Sequence, residues 1–138
     1  MKKIKSLAAL LLLSCSLIFS GCVGDYDEMT TTREIIIRGK WAVDYFYVGA
    51  DRTAEFRIYE LTFNSNGFMI CACKNDVFDG TWQLRQGSNK TDILQLQLPL
   101  HQPDLKELNL NWKVDGLNLS EISMKEESKP AKLRLRKL

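Results

Sequence analysis

From Ile35 onward, apolar and polar side chains alternate in short runs separated by turn-forming residues, the pattern of half-buried β-strands. Residues 41–48 set Trp41, Val43, Tyr45 and Tyr47 on one face, and residues 58–63 do the same with Tyr59, Leu61 and Phe63. Asn64-Ser65-Asn66-Gly67 follows as a hairpin connection, because Asn-Gly accepts the positive φ that tight turns demand. Residues 68–73 return, Asp79-Gly80 predicts a further turn, and residues 81–85 place Trp82 and Leu84 together. Residues 93–98 align Leu94, Leu96 and Leu98 against Gln95 and Gln97. After a loop at 100–103, Asp104 with Glu107 three residues on predicts a capped helical turn. Residues 108–114 set Leu108, Leu110, Trp112 and Val114 opposite Asn109, Asn111 and Lys113; Asp115-Gly116 predicts a turn, and runs at 117–124 and 132–138 bring the count to eight. Eight consecutive strands with mostly short connections favour an all-β, up-and-down antiparallel barrel, since closure removes both exposed edges.

The start of the chain follows a different pattern. Lys2, Lys3 and Lys5 precede a thirteen-residue apolar core at 7–19, and Phe19-Ser20-Gly21-Cys22 ends the segment with small residues and a cysteine. This is the anatomy of a secretory signal, and its core is too short to cross a bilayer of roughly 30 Å. The ending resembles the bacterial lipoprotein signal, in which the cysteine becomes the first mature residue and carries lipid. That resemblance implies a signal peptide at 1–21, lipidation at Cys22, a polar tether at 22–34 and a barrel domain at 35–138. As a flexible coil, the ten residues 23–32 would span roughly 17–20 Å. The acidic Asp25, Asp27 and Glu28 resemble the surface-export signal of Bacteroidetes-type lipoproteins, which implies an outer-membrane, surface-exposed location.

Removing residues 1–21 from the 138 leaves 117, enough for one domain. It also changes the charge. Three of the 19 lysines and arginines leave with the signal, so 16 basic residues face 17 acidic ones and the net charge becomes −1. No basic excess remains to support nucleic-acid binding. Of the 4 cysteines, only Cys71 and Cys73 stay available for chemistry, which excludes a disulfide framework.

Gly39-Lys40-Trp41 opens the first strand, and Gly-x-Trp at that place resembles the lipocalin pattern. Trp41…Tyr45-Phe46, Leu61-Thr62-Phe63-Asn64…Asn66-Gly67, Gly80-Thr81-Trp82, Leu108…Trp112-Lys113-Val114 and Leu133-Arg134-Leu135 extend the likeness to the lipocalin-like lipoproteins of Bacteroidetes, over residues 39–138. The resemblance implies an eight-stranded barrel, and a basic residue of the last strand, Arg134 or Arg136, packed over Trp41. The chain is shorter than typical lipocalins, with neither an evident C-terminal helix nor the flanking disulfide. A second resemblance, to the small β domains of heat-shock-type envelope lipoproteins, rests on the same Gly-x-Trp start and a Gly-rich centre.

Candidate chemistry is sparse. His101, the single histidine, sits in a loop between Pro99 and Pro103 with no nucleophile motif beside it. Cys71 and Cys73 share a strand face with α-carbons nearly ~7 Å apart, poor disulfide geometry, and read as free thiols packed as small hydrophobes. A strained disulfide or soft-metal capture are the alternatives. Carboxylates gather at turns, with no pair set for acid/base work. Lys132, Arg134, Arg136 and Lys137 give the last strand a basic face, with Asp44 a partner across the barrel seam. These residues lead to no catalytic role, no metal and no cofactor. The aromatic set Tyr45, Tyr47, Tyr59, Phe63, Trp82 and Trp112, with Trp41, is the candidate lining of an apolar ligand pocket, or else the filling of a packed barrel. The expectation is a non-enzymatic lipoprotein that binds a small apolar ligand. The alternative is a structural or interaction subunit of a surface assembly.

Overall fold

The structure, a computed structural model, describes residues 28–138, so the expected signal, the lipidation at Cys22 and the tether up to residue 27 lie outside the described residues. Eight strands follow one another: β1 (Lys40–Val48), β2 (Glu60–Phe63), β3 (Phe68–Cys73), β4 (Asp76–Gln86), β5 (Asp92–Gln97), β6 (Asn111–Leu117), β7 (Glu121–Glu126) and β8 (Ala131–Lys137). Each pairs antiparallel with the next, and β8 pairs back on β1, closing the barrel. The up-and-down barrel read from the hydrophobic pattern is the fold observed.

Two helices frame it. The polar stretch expected to continue as a tether through Thr32 becomes helical at Glu28, forming α1 (Glu28–Ile36). Thr32 and Ile36, one helical turn apart, are buried, so tertiary packing of that face holds a helix that periodicity alone does not announce. α2 (Thr53–Phe56) is a single turn in the β1–β2 connection. Strand direction then sorts the loops. The α1 end carries the β2–β3, β4–β5 and β6–β7 connections and the C-terminus; the far end carries the β1–β2, β3–β4, β5–β6 and β7–β8 connections.

The Asn64–Gly67 hairpin forms as expected, with Gly67 at φ +87° and the Asn64 N–H donating to the Phe68 carbonyl at 2.9 Å. Both Asp-Gly pairs are different. β4 runs straight through Asp79-Gly80, and the turn falls at Lys74-Asn75 instead. Gly80 is inside the strand because a Cβ there would stand 2.7 Å from the Gln97 carbonyl oxygen. Asp115-Gly116 is a bulge within β6, where the pairing to β7 shifts register between Val114 and Gly116, and the chain turns at residues 118–120.

A second bulge changes the inward set. The β1–β8 register slips between Val43 and Tyr45, at Asp44, so inward alternation passes from Trp41 and Val43 to Phe46. Tyr45 and Tyr47 are thereby paired with Arg134 and Lys132 on the outer face. They do not line the interior with Trp41 and Val43 as strict alternation predicts.

Candidate functional site

Four of the six candidate aromatic residues do point inward. Tyr59, Phe63, Trp82 and Trp112 are buried in one contiguous core with Trp41, Phe46, Leu61, Met69, Cys71 and the leucines of β5 and β8. Phe63 stacks edge-on against Trp82 with ring centroids 5.6 Å apart, and Trp112 meets Phe46 at 6.2 Å. Each tryptophan finds a carbonyl for its indole N–H: Trp41 donates to Ile36 at 2.9 Å, Trp112 to Leu108 at 2.8 Å and Trp82 to Asn64 at 2.9 Å. Tyr45 and Tyr47 stay outside. Tyr45 lies under the Arg134 guanidinium, 5.8 Å from its ring centroid.

The α1 end is closed by Trp41 and α1. Lys137 covers the Trp41 ring, its Nζ 6.0 Å from the centroid. This corrects the expectation that Arg134 or Arg136 would do so. In β8 the odd positions Ala131, Leu133 and Leu135 face in, and Lys137 continues that series, whereas Arg134 and Arg136 face out to Asp44 at 2.8 and 3.4 Å. The partnership with Asp44 across the seam is as expected. Beside α1, the buried Thr32 hydroxyl donates to the buried Asp92 carboxylate. A cleft of about 400 Å³ opens there, lined by Thr31, Asn89, Lys90, Asp92 and Leu117 among others.

The far end is plugged by side chains that belong to connections. α2 is fixed to β1 by Thr53, whose hydroxyl accepts the Phe46 N–H at 3.0 Å, while the Thr53 N–H donates to Asp51 at 2.9 Å. The Thr53 bonds hold the Asp51 carboxyl below its usual range. Phe56, fully buried, stacks edge-on against Phe46 at 4.4 Å. From the β5–β6 connection, a 3₁₀ turn (Leu105–Leu108) contributes Leu105 and Leu108, both fully buried. The expected capping box is not formed: Asp104 makes no side-chain cap bond. Glu107 turns instead to Arg52, which donates from Nη1 to both carboxylate oxygens at 3.0 and 2.9 Å. Arg52 also pairs with Glu55 and stands 3.7 Å from Asp104.

The same end of the barrel holds Tyr59 and the two thiols. Burial raises the Tyr59 phenol pKa, with nearby Asp104, Cys73 and Cys71 adding to it. Cys71 and Cys73 are both free; β3 alternation turns them inward, and burial together with Cys73 pushes the Cys71 thiol up to about 12. His101 is exposed on the β5–β6 connection. The sequence carried little sign of the plug, because Arg52, Phe56, Leu105 and Glu107 come from stretches without strand alternation. The only cue there was the Asp104–Glu107 spacing.

The outer surface carries a further groove of about 650 Å³ where β5 and β6 part, lined by Leu98, Leu100, Asn109, Leu110 and Lys129 among others. At its base the Asn109 amide takes the place of a strand partner, accepting the Leu98 N–H at 2.7 Å and donating to its carbonyl at 3.0 Å. None of the six candidate aromatics lines this groove or the cleft beside α1.

A closed eight-stranded up-and-down barrel, opened by Gly-x-Trp, sealed at one end by a helix and covered there by a basic side chain of the last strand, defines a lipocalin-like fold. Solved structures agree. The chain is similar to a DUF4847 family protein from Bacteroides vulgatus, with a TM-score of 0.55 and 17% identity over 76% of this chain and 96% of that one. It is also similar to a lipocalin-like protein from Bacteroides uniformis, at a TM-score of 0.51 and 17% identity, covering 74% of this chain and 98% of that one. At such identity the likeness is one of fold. No family model matches the sequence, and no curated protein is significantly similar to it.

Proposed function

We propose that this chain is a lipid-anchored outer-membrane protein, exposed at the cell surface, whose barrel takes up a small apolar ligand through the far end. The anchor reading rests on the basic head, short apolar core and Ser20-Gly21-Cys22 ending, and the surface location on Asp25, Asp27 and Glu28. The observation that carries the ligand reading is the make-up of the plug. Phe56, Leu105 and Leu108 come from connections and are tied by the Arg52–Glu107 pair, so a ligand can replace them without breaking any strand ladder. Tyr59, Phe63 and Trp112 would then supply the apolar walls. The reading assigns no catalytic role.

A second reading, a packed interaction module in a surface assembly, is favoured by the near-complete burial of the same inward side chains. Native mass spectrometry of the purified protein, with titration of an apolar fluorescent probe, separates the two. Co-purified ligand, or saturable probe uptake that rises when the Arg52 latch is removed, supports the first. No uptake by either the wild type or Arg52→Met leaves the packed module. The anchor is tested separately: Cys22→Ser should release the protein from the membrane fraction.

A further inference from the structure

We infer that the outer wall formed by β4, β5 and β6 carries a further binding site, for a neutral oligosaccharide. The site is separate from the barrel interior and depends on neither the lipid anchor nor the plug. Two hollows adjoin on that wall: the groove of about 650 Å³ where β5 and β6 part, and a smaller one of about 130 Å³ bounded by Thr81, Gln83, Gln95 and Gln97 among others. Gln95 and Gln97 border both, so the two make one trough, of the size that small-molecule sites take. Its lining comes from the outward positions of strands that turn Trp82, Leu94, Leu96 and Trp112 inward. Cross-strand pairing sets these outward residues in two rows, Phe68–Thr81–Gln97 and Gln83–Gln95–Asn111.

None of the six residues in these rows is charged. The outward positions of β7 and β8, by contrast, include Glu121, Lys125, Lys132, Arg134 and Arg136. Charge returns at the borders of the rows, with Asp79 on one side and Arg85 and Lys113 on the other, and Lys113 is paired with Glu127. The remaining wall of the groove adds one charge of each sign, Glu126 and Lys129. The Glu126 carboxylate already accepts the Ser128 hydroxyl at 2.7 Å and the Lys129 N–H at 2.9 Å. The trough therefore has no charge excess to select an ion.

What it offers is amide and hydroxyl groups, which both donate and accept, as do the vicinal hydroxyls of a sugar. They hold one another in place: Gln83 donates to Gln95, Gln95 to Asn111, and the Thr81 hydroxyl to Gln97 at 3.2 Å. A side-chain amide has two donors and two acceptor sites, so each keeps hydrogen bonds to give after closing this ladder. The apolar C–H faces of sugar rings find their counterparts at either end. Phe68 is 57% exposed beside Thr81, and Leu100 is 77% exposed in the groove. An extended peptide fits less well, because strand addition needs an open backbone edge. Where β5 and β6 part, the Asn109 amide already takes both the N–H and the carbonyl of Leu98.

The test uses the full chain in a detergent without a sugar head group. It is applied to an array of neutral gluco-, manno-, galacto- and xylo-oligosaccharides, their uronic-acid and sulfated counterparts, and extended peptides. Neutral sugars should be retained in preference, and the one held most tightly is then titrated by calorimetry. Phe68→Ala and Gln95→Ala should each raise its dissociation constant about fivefold, the loss of one packing surface or of one or two hydrogen bonds. Lys132→Ala, on the β8 wall, should leave it unchanged. Thermal melts confirm the fold of each variant, and Gln83→Ala, at an exposed position of the same row, replaces Gln95→Ala if that variant melts early. Retention of charged sugars or peptides alone, or of no member of the array, overturns the inference. So does a neutral sugar whose affinity is the same in Phe68→Ala and the amide variant as in the wild type. Uptake of an apolar probe bears on the barrel interior alone, so the two readings fail independently.

Discussion

Arg52 holds both carboxylate oxygens of Glu107, at 3.0 and 2.9 Å, and so joins two connections 55 residues apart over the buried rings of the far end. Both contacts come from the one Nη1, a bifurcated charge-assisted pair, and both side chains are only about a quarter exposed (26% and 28%). Arg52→Met keeps an unbranched apolar stem and removes the pair. The expected result is a roughly two- to fivefold faster alkylation of Cys73, the population shift that a single ion pair commands. High salt should reproduce part of the effect in the wild type. An unchanged rate in both conditions would mean the plug is held by Phe56, Leu105 and Leu108 alone.

Trp41 seals the other end. It is fully buried, and its indole N–H ties β1 to the carbonyl of Ile36 in α1. Trp41→Ala should cost about 3–5 kcal/mol, a large share of a typical domain's stability. Lys137→Met, which keeps the cover and loses the charge, should cost under ~1 kcal/mol. Denaturant unfolding of both variants checks the pair. Equal costs would show that the charge of Lys137, and not the burial of Trp41, closes this end.

The hydrophobic pattern carried the barrel well because inside and outside alternate with period two, and closure needs nothing more specific than eight such runs. It failed where a single residue breaks that period. The bulge at Asp44 moved Tyr45 and Tyr47 from the expected lining to the outer face and brought Phe46 in. Asp-Gly at 79–80 and at 115–116 looked like turns, because glycine's freedom at a turn and its lack of a Cβ in a crowded strand leave the same letter in the sequence. The basic cover of Trp41 was expected from the last strand, but its position was decidable only once the register of β8 placed Lys137 inward. α1 and the plug were illegible, since their stability comes from the barrel they pack on and not from their own periodicity.

Cys71 supplies a pH dependence with a definite sign. Burial, with Cys73 close by, raises its thiol from an ordinary 9.0 to about 12, so the folded state favours the protonated form. That stabilisation is fully present below about pH 9 and is lost as pH rises toward 12. Stability of the wild type should therefore fall across this window, and Cys71→Ala should flatten the fall at a cost of about 1 kcal/mol at neutral pH. The raised Tyr59 phenol adds to the same slope, which Tyr59→Phe isolates. Cys71 should also resist alkylation in the folded chain at neutral pH. Rapid modification there, or an identical alkaline limb in Cys71→Ala, would place the thiol in contact with water.

The two Asp-Gly sites make a paired test of how the barrel is wound. At Gly80 an added Cβ would meet the Gln97 carbonyl oxygen at 2.7 Å, Leu98 Cδ2 at 2.9 Å and Met69 Cγ at 3.3 Å. The carbonyl belongs to the β4–β5 ladder and cannot give way, so Gly80→Ala should destabilise by about 1–3 kcal/mol. At Gly116 the nearest atom is the Ser123 Cβ at 3.3 Å, on a small side chain that can yield by a few tenths of an ångström. Gly116→Ala should accordingly cost under ~1 kcal/mol. Neither glycine has a positive φ, so crowding alone separates the two. Were Asp79-Gly80 an exposed turn, the order would vanish or invert. Chemical denaturation of the two alanine variants, compared at equal m-value, decides it.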